Sequence, residues 1–243
     1  MPTVLYALPA SHPCAAVERA LELKQIPYRR KDSIPVLHRI EQYARFHVVT
    51  VPAITFEDGT KVSGSTAIMH ALDQRVPEPR LFPPEEEHRI GVKRAEEWGD
   101  QVLQPLARRI IWAALRRSPS DVMLSYAEGA KLPLPSAVQR VSVPLVKRLG
   151  VKANKASDPN VRSDLAHLDS HLERADTWIA DGAMGGEQVN AADLQVGSSI
   201  RLLATLEDLR PRLEGRPVYE LATRWFPRYP GLVPAGTLPG DWL

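Results

Sequence analysis

An α+β fold in two parts is predicted by three observations. Over residues 1–76 short apolar runs alternate with amphipathic segments; prolines crowd residues 77–84; from Glu85 onward the strand signals stop and helical periodicity takes over. Thr3–Ala7 is an apolar run of strand length, and His12–Lys24 carries Val17, Ala20, Leu21 and Leu23 at helical spacing. Ile26–Arg30 reads as a second strand, with Pro27 placing it at an edge or a strand start. Val36–Phe46 reads as a weak helix or a loop. Val51–Phe56 and Lys61–Ser63 form a hairpin around Glu57-Asp58-Gly59-Thr60, because Asp-Gly supplies the positive φ of a tight turn. Ser65–Asp73 is helical, with Ser65 as the candidate N-cap. The order βαβ then ββα calls for a small mixed sheet covered by helices.

Residues 77–84, Pro-Glu-Pro-Arg-Leu-Phe-Pro-Pro, form a stiff linker and the expected domain boundary. In the all-helical part that follows, residues 85–243, Glu85–Arg117 reads as one long helix. Its acidic start and basic end suit the helix dipole. Val161–Ile179, Asn190–Leu206 and Leu209–Arg224 give three more helices. Asn190 with Asp193 reads as a helix cap important for folding. One stretch stands apart. Residues 129–157 hold six basic residues, no acidic one and three prolines, which fits either a lid with a basic face or a solvated surface excursion.

Composition bounds the chemistry. The chain has 243 residues and a single cysteine, so intrachain disulfides, a dithiol redox cycle and zinc-finger spacing are excluded. A net charge of +2 gives no global case for nucleic-acid binding, and no apolar run reaches the length of a membrane helix. With no basic n-region before the first strand, a cytoplasmic protein with neither nucleic-acid nor membrane partner is expected. Neither a metal-ligand spacing nor a phosphate-binding glycine loop is present.

The chemically informative segment is Ala10-Ser11-His12-Pro13-Cys14, between the first strand and the first helix. Free N–H groups at a helix start stabilise negative charge, so a hydroxyl there can help a bound thiol ionise. Ser11 is that hydroxyl, or else a simple helix cap. Cys14 follows at the spacing of a resolving cysteine, or else is a small buried apolar residue. His12, His38 and Arg39 are candidates to contact an anionic cofactor. His70 reads as structural or exposed. Trp98, Trp112 and Tyr126 read either as core or as the lining of an apolar pocket.

Leu5-Tyr6, Ser11, Val17, Ala20–Lys24 and Ile26-Pro27-Tyr28 resemble the start of the glutathione S-transferase superfamily. Val51-Pro52 is similar to the family's Val-Pro before the third strand, Ser65-Thr66-Ala67-Ile68 to its Ser-x-Ala-Ile, and Asn190–Leu194 to its capping segment. The resemblance implies a thioredoxin-like N-terminal domain, an all-helical C-terminal domain and a homodimer. It implies a serine-type site in which Ser11 activates the thiol of bound glutathione, or of another small thiol, for conjugation to an apolar electrophile, as in detoxification. Pro52 is then expected in the cis form, Val51 to pair with the peptide part of glutathione, and Ser65 to bind its γ-glutamyl carboxylate. One departure matters: Gly64 stands where the family usually has an acid. It leaves two other readings open, a non-catalytic binding module of the same fold and a thiol transferase or reductase using Cys14.

Overall fold

The computed structural model describes residues 2–243. A four-stranded sheet runs in the order β2-β1-β3-β4. Strand β1 (Thr3–Ala7) is central and buried along its length. It pairs in parallel with β2 (Tyr28–Asp32), with Thr3 opposite Tyr28, and antiparallel with β3 (Ala53–Thr55), with Leu5 opposite Ile54. The hairpin partner β4 (Lys61–Ser63) closes the other edge. The Asp-Gly turn forms as expected, with Gly59 at φ 84°. β2 starts two residues later than the sequence indicates. Gln25 takes φ 53° and Ile26 N–H donates back to Leu21 C=O at 3.0 Å, so the helix C-terminus holds residues that would otherwise extend the strand.

Helix α1 (His12–Leu23) follows β1, α2 (His38–Phe46) follows β2, and α3 (Ser65–Arg75) follows β4. Within the segment 36–46, residues 38–46 form the helix, and Val36, at φ 74°, lies in the turn before it. Residues 77–84 contain neither helix nor strand. Beyond them come α4 (Glu86–Trp98) and α5 (Gln104–Arg117), joined without a break by a π-helical turn at Gly99–Leu103. The single long helix of the sequence thus carries one widened turn, which aims the Asp100 carboxylate at Gln195. α6 (Ser120–Ser125) is short, and α7 (Ser136–Ala153) occupies most of the acid-free stretch.

The predicted 161–179 helix divides at His167 into α8 (Asp158–Ala166) and α9 (Leu168–Ala180). The 209–224 helix is interrupted too, giving α11 (Arg210–Leu213) and α12 (Pro217–Trp225), with Pro217 restarting the second. Between them in sequence lies the central α10 (Ala191–Leu203), packed against α1, α4, α5 and α12 and buried at almost every position. Its start is a full capping box: Asn190 accepts from Asp193 N–H, and the Asp193 carboxylate accepts from the N–H of Asn190 and of Gly185. One continuous apolar core joins Leu5, Ile54 and Ile68 of the sheet half to Leu106, Ile110 and Leu165 of the helical half. Among the described residues, no helix is long and apolar enough to cross a membrane.

Candidate functional site

The chain leaves β1 at Ala7 and turns into α1 through Ser11, with Ser11 N–H donating to Leu8 C=O at 3.3 Å. Ser11 occupies the N-cap, yet its side chain makes no cap bond. Its hydroxyl lies near enough to the Cys14 thiol to favour its ionisation. Cys14 is 1% exposed. Burial pushes its thiol up to about 11, against the pull of Ser11 and the Leu8 backbone. The structure therefore gives Cys14 the surroundings of a packing residue, protonated at neutral pH.

The second part of the site is the turn around β4 and α3. The Val51–Pro52 peptide bond is cis, as expected. Gly64 N–H donates to Pro52 C=O at 2.9 Å, which holds the two sequence-predicted segments together. Among the described residues Val51 N–H and C=O have no partner. Gly64 is the N-cap of α3, at φ 89° and ψ 139°, so Ser65 is the first helical residue and not the cap. A Cβ at Gly64 would meet nothing within 4 Å. The glycine answers a backbone demand, because a side chain there would be strained by φ and not by space.

Ser65 is buried, and its hydroxyl accepts a 3.4 Å hydrogen bond from the Gln104 side-chain amide. The same amide donates at 3.2 Å to Asp100, which also accepts from Gln195 at 3.2 Å. Burial raises the Asp100 carboxyl, opposed by Arg108 and Gln104. Arg108 has no hydrogen-bond partner among the described residues, and burial lowers its affinity for its proton. It lies close enough to depress the basicity of buried His12, to which burial contributes more. The Nε2 of His12 is buried without a partner. Asp100 is thus linked to Ser65 through Gln104, and Arg108 acts on His12, the residue after Ser11. Sequence reading missed Asp100, Gln104 and Arg108. Their only local signal is that they are polar groups on an otherwise apolar stretch of helix.

The remaining candidates scatter. His38 begins α2; burial, followed by the nearby Arg39 charge, lowers it to about 4, so it is a neutral imidazole at pH 7. His70 stacks on Phe82 at 4.1 Å and meets Glu96, which is a structural link. Trp98 packs edge-on against Trp178, Trp112 lies over Gly150 of α7, and Tyr126 hydrogen-bonds Thr205 at 2.6 Å. These three aromatic side chains do not converge on one pocket. Among the described residues no cluster of three His, Cys, Asp or Glu side chains could hold a metal ion.

Comparison with known proteins agrees with the fold. Residues 5–80 match the family model of the glutathione S-transferase N-terminal domain. No curated protein matches the chain in sequence. Among solved structures, a glutathione S-transferase from Rhodospirillum rubrum F11 is similar at TM-score 0.60 and 19% identity, over 92% of this chain and 85% of that one. A glutathione S-transferase from Sinorhizobium meliloti 1021 is similar at TM-score 0.60 and 19% identity, over 97% of both chains. Maleylacetoacetate isomerase from Anaeromyxobacter dehalogenans 2CP-1, with glutathione bound in its active site, is similar at TM-score 0.55 and 23% identity, over 91% and 90%. Residues 5–80 thus match the glutathione S-transferase N-terminal domain, and over nearly its whole length the chain shares the two-part thioredoxin-like and helical fold of these solved structures.

Proposed function

We propose that the protein is a glutathione transferase-like enzyme in which Ser11 stabilises the thiolate of a bound thiol, glutathione first among candidates, for addition to an apolar electrophile. The observation that carries this reading is a pair of serines, each at the start of a helix that follows a strand. Ser11 opens α1, Ser65 opens α3, and the Gly64–Pro52 hydrogen bond ties the second to the Val51 backbone. A helix start favours an anion, so one end suits a thiolate and the other a carboxylate. Val51 offers an unpaired N–H and C=O to a peptide-like ligand. Arg108 adds positive potential: the field that makes His12 harder to protonate makes a neighbouring thiol easier to ionise.

In place of an acid at position 64, we assign Asp100 to the ligand's amino group, one glutamine away from the Ser65 hydroxyl. Solved relatives holding glutathione, the Anaeromyxobacter isomerase among them, support the choice of thiol. His38, neutral and partly buried, is assigned a hydrogen bond to the ligand in place of an ion pair. Residues 1–76 would form the thiol-binding domain, 77–84 the junction, and 85–243 the helical domain that lines the electrophile site. A homodimer fits this family.

The test is titration calorimetry with glutathione, followed by a conjugation assay with chlorodinitrobenzene. Saturable heat together with turnover supports the proposal. Saturable heat without turnover favours the non-catalytic binding module, the reading that Gly64 motivates. Absence of heat at millimolar thiol sinks the glutathione assignment. Cys14 takes no part in this proposal, since its burial and raised thiol count against a thiol-transferase route.

A further inference from the structure

The acid-free stretch 129–157 is not consumed by the thiol site, and most of it is the helix α7. One side of α7 is committed: Val143 and Lys147 are buried, Trp112 covers Gly150, and Lys147 Nζ donates to Ser118 C=O at 2.6 Å and to Pro119 C=O at 3.2 Å. The opposite side is bare. Ala137, Val141, Pro144, Leu145, Arg148 and Lys152 recur at steps that keep them on one exposed face. Val141 is 81% exposed and Leu145 60%, with Val138 beside them at 48%. Large aliphatic side chains this open and this adjacent form a patch, not scattered surface residues.

The charge around the patch has one sign. Among the described residues, of the six cations in the stretch only Arg140 has a carboxylate partner, Asp121. Lys131, Arg148, Lys152 and Lys155 have no ion-pair partner among the described residues. Beside the patch lies an open cleft of about 470 Å³, lined by Arg116, Lys147 and Arg148 together with Pro144 and Val151. Arg116 there is paired with Asp158 and Lys147 is held by backbone carbonyls, which leaves Arg148 as the cleft cation without a partner among the described residues. Exposed aliphatics next to unpaired cations make the chemistry of a helix that lies in an anionic interface, with its apolar side chains in the acyl boundary and its cations at the headgroups. A second copy of the chain fits less well. Pairing α7 with its own counterpart would set Arg148 and Lys152 of one copy against the same cations of the other.

We propose that α7 is a docking face for an anionic lipid surface, on which the protein lies without spanning it. This face departs from the expectation from sequence that the protein has no membrane partner. The proposal does not rest on the thiol site.

The test is co-sedimentation of the full chain with large vesicles, either of phosphatidylcholine alone or with one-third phosphatidylglycerol. The protein is expected to pellet with the anionic vesicles at low salt, to stay in solution with the neutral ones, and to be released by half-molar salt. Arg148→Gln with Lys152→Gln should weaken partitioning about 25-fold, at roughly fivefold per cation. Val141→Asp with Leu145→Asp should abolish it. All four positions are on the surface, so circular dichroism and glutathione binding should be unchanged. Wild-type protein that stays in the supernatant with anionic vesicles overturns the proposal. So do variants that pellet like the wild type, or a concentration-dependent dimer in sedimentation velocity that Val141→Asp dissolves.

Discussion

The phenol of Tyr229 donates a 2.7 Å hydrogen bond to the carbonyl of Ala10, 219 residues away in sequence and one residue before Ser11. Ala10 holds φ 50°, an uncommon conformation for alanine that surrounding contacts must maintain. The tail that delivers Tyr229 is itself pinned. Gly231 passes so close to the Tyr126 ring that a Cβ would sit 2.4 Å from it, and the Arg201 guanidinium lies 5.9 Å from the Tyr229 ring centre. The C-terminal tail therefore braces the loop that positions Ser11. Tyr229→Phe keeps the ring and removes only the donor. It is expected to cost about 1 kcal/mol of stability in urea unfolding. If the brace positions Ser11, kcat for conjugation falls several-fold with KM for glutathione held; an unchanged kcat would reduce the contact to a structural one.

Ser11→Ala is expected to leave the fold intact, because the Ser11 side chain makes no helix-capping bond. It removes a hydrogen bond to a charged sulfur, an interaction of about 1.5–3 kcal/mol, so conjugation should slow by about 10–100-fold near neutral pH. The loss should shrink as pH rises, since at higher pH the thiol ionises without help. A pH profile displaced upward in the variant is the signature, and equal turnover at neutral pH removes Ser11 from the mechanism.

Asp100→Asn keeps the shape of a side chain that accepts from Gln104 and Gln195. If Asp100 receives the amino group of glutathione, the neutral amide should raise KM for glutathione about tenfold or more with little change in kcat, the pattern of lost ground-state binding. A desamino analogue of glutathione should bind wild type and variant alike. Equal KM values for glutathione itself would return Asp100 to a purely structural role between α5 and α10.

What the sequence makes legible is what depends on near neighbours. The Asp-Gly hairpin, the Asn190–Asp193 capping box and the placement of Ser11 ahead of α1 all lie within short motifs, whereas the cis Pro52 is expected from the family resemblance. Strand and helix limits drift where a local competitor intervenes, as when the C-terminal turn of α1 delays β2. The stretch 129–157 hides its helix behind prolines, yet Pro135 sits just before α7, and Pro144 lies on the solvent side where the freed carbonyl is open to water. Asp100, Gln104 and Tyr229 reach their partners across 95, 39 and 219 residues, distances at which no periodicity or motif speaks. Gly64 was legible as a departure and not as a cause, because only the backbone shows the φ it serves.

Cys14 gives a test in pH. Its thiol is raised from an ordinary 9.0 to about 11, chiefly by burial. The folded protein thus keeps the proton more tightly than the unfolded chain does. Stability is unaffected by this group below pH 9 and falls as pH climbs from about 9 toward 11, where the unfolded thiol ionises first. Alkylation by iodoacetamide should be slow at neutral pH and rise through this alkaline range without levelling near 9. Rapid modification of the native protein at neutral pH would instead mean that the site opens and that Cys14 is a reactive thiolate.

Lys24 at the end of α1 is the last test, because it fastens the sheet half to the linker. Its side chain is fully buried, and Nζ donates to Asp73 at 2.9 Å and to the carbonyls of Val76 and Pro79. Asp73 in turn accepts from Leu81 N–H at 2.7 Å, so one ion pair ties α1, α3 and residues 76–81 together. Lys24→Met fills the volume but leaves the Asp73 carboxylate and two carbonyls without their cation, and breaking one side of a buried pair costs about 3–5 kcal/mol. Asp73→Leu alone strands the buried ammonium and should cost a similar amount. The double variant has no uncompensated charge, so its loss in urea unfolding should fall well short of the sum of the two single losses. Strict additivity would show that the two side chains act independently and that the clamp is only apparent.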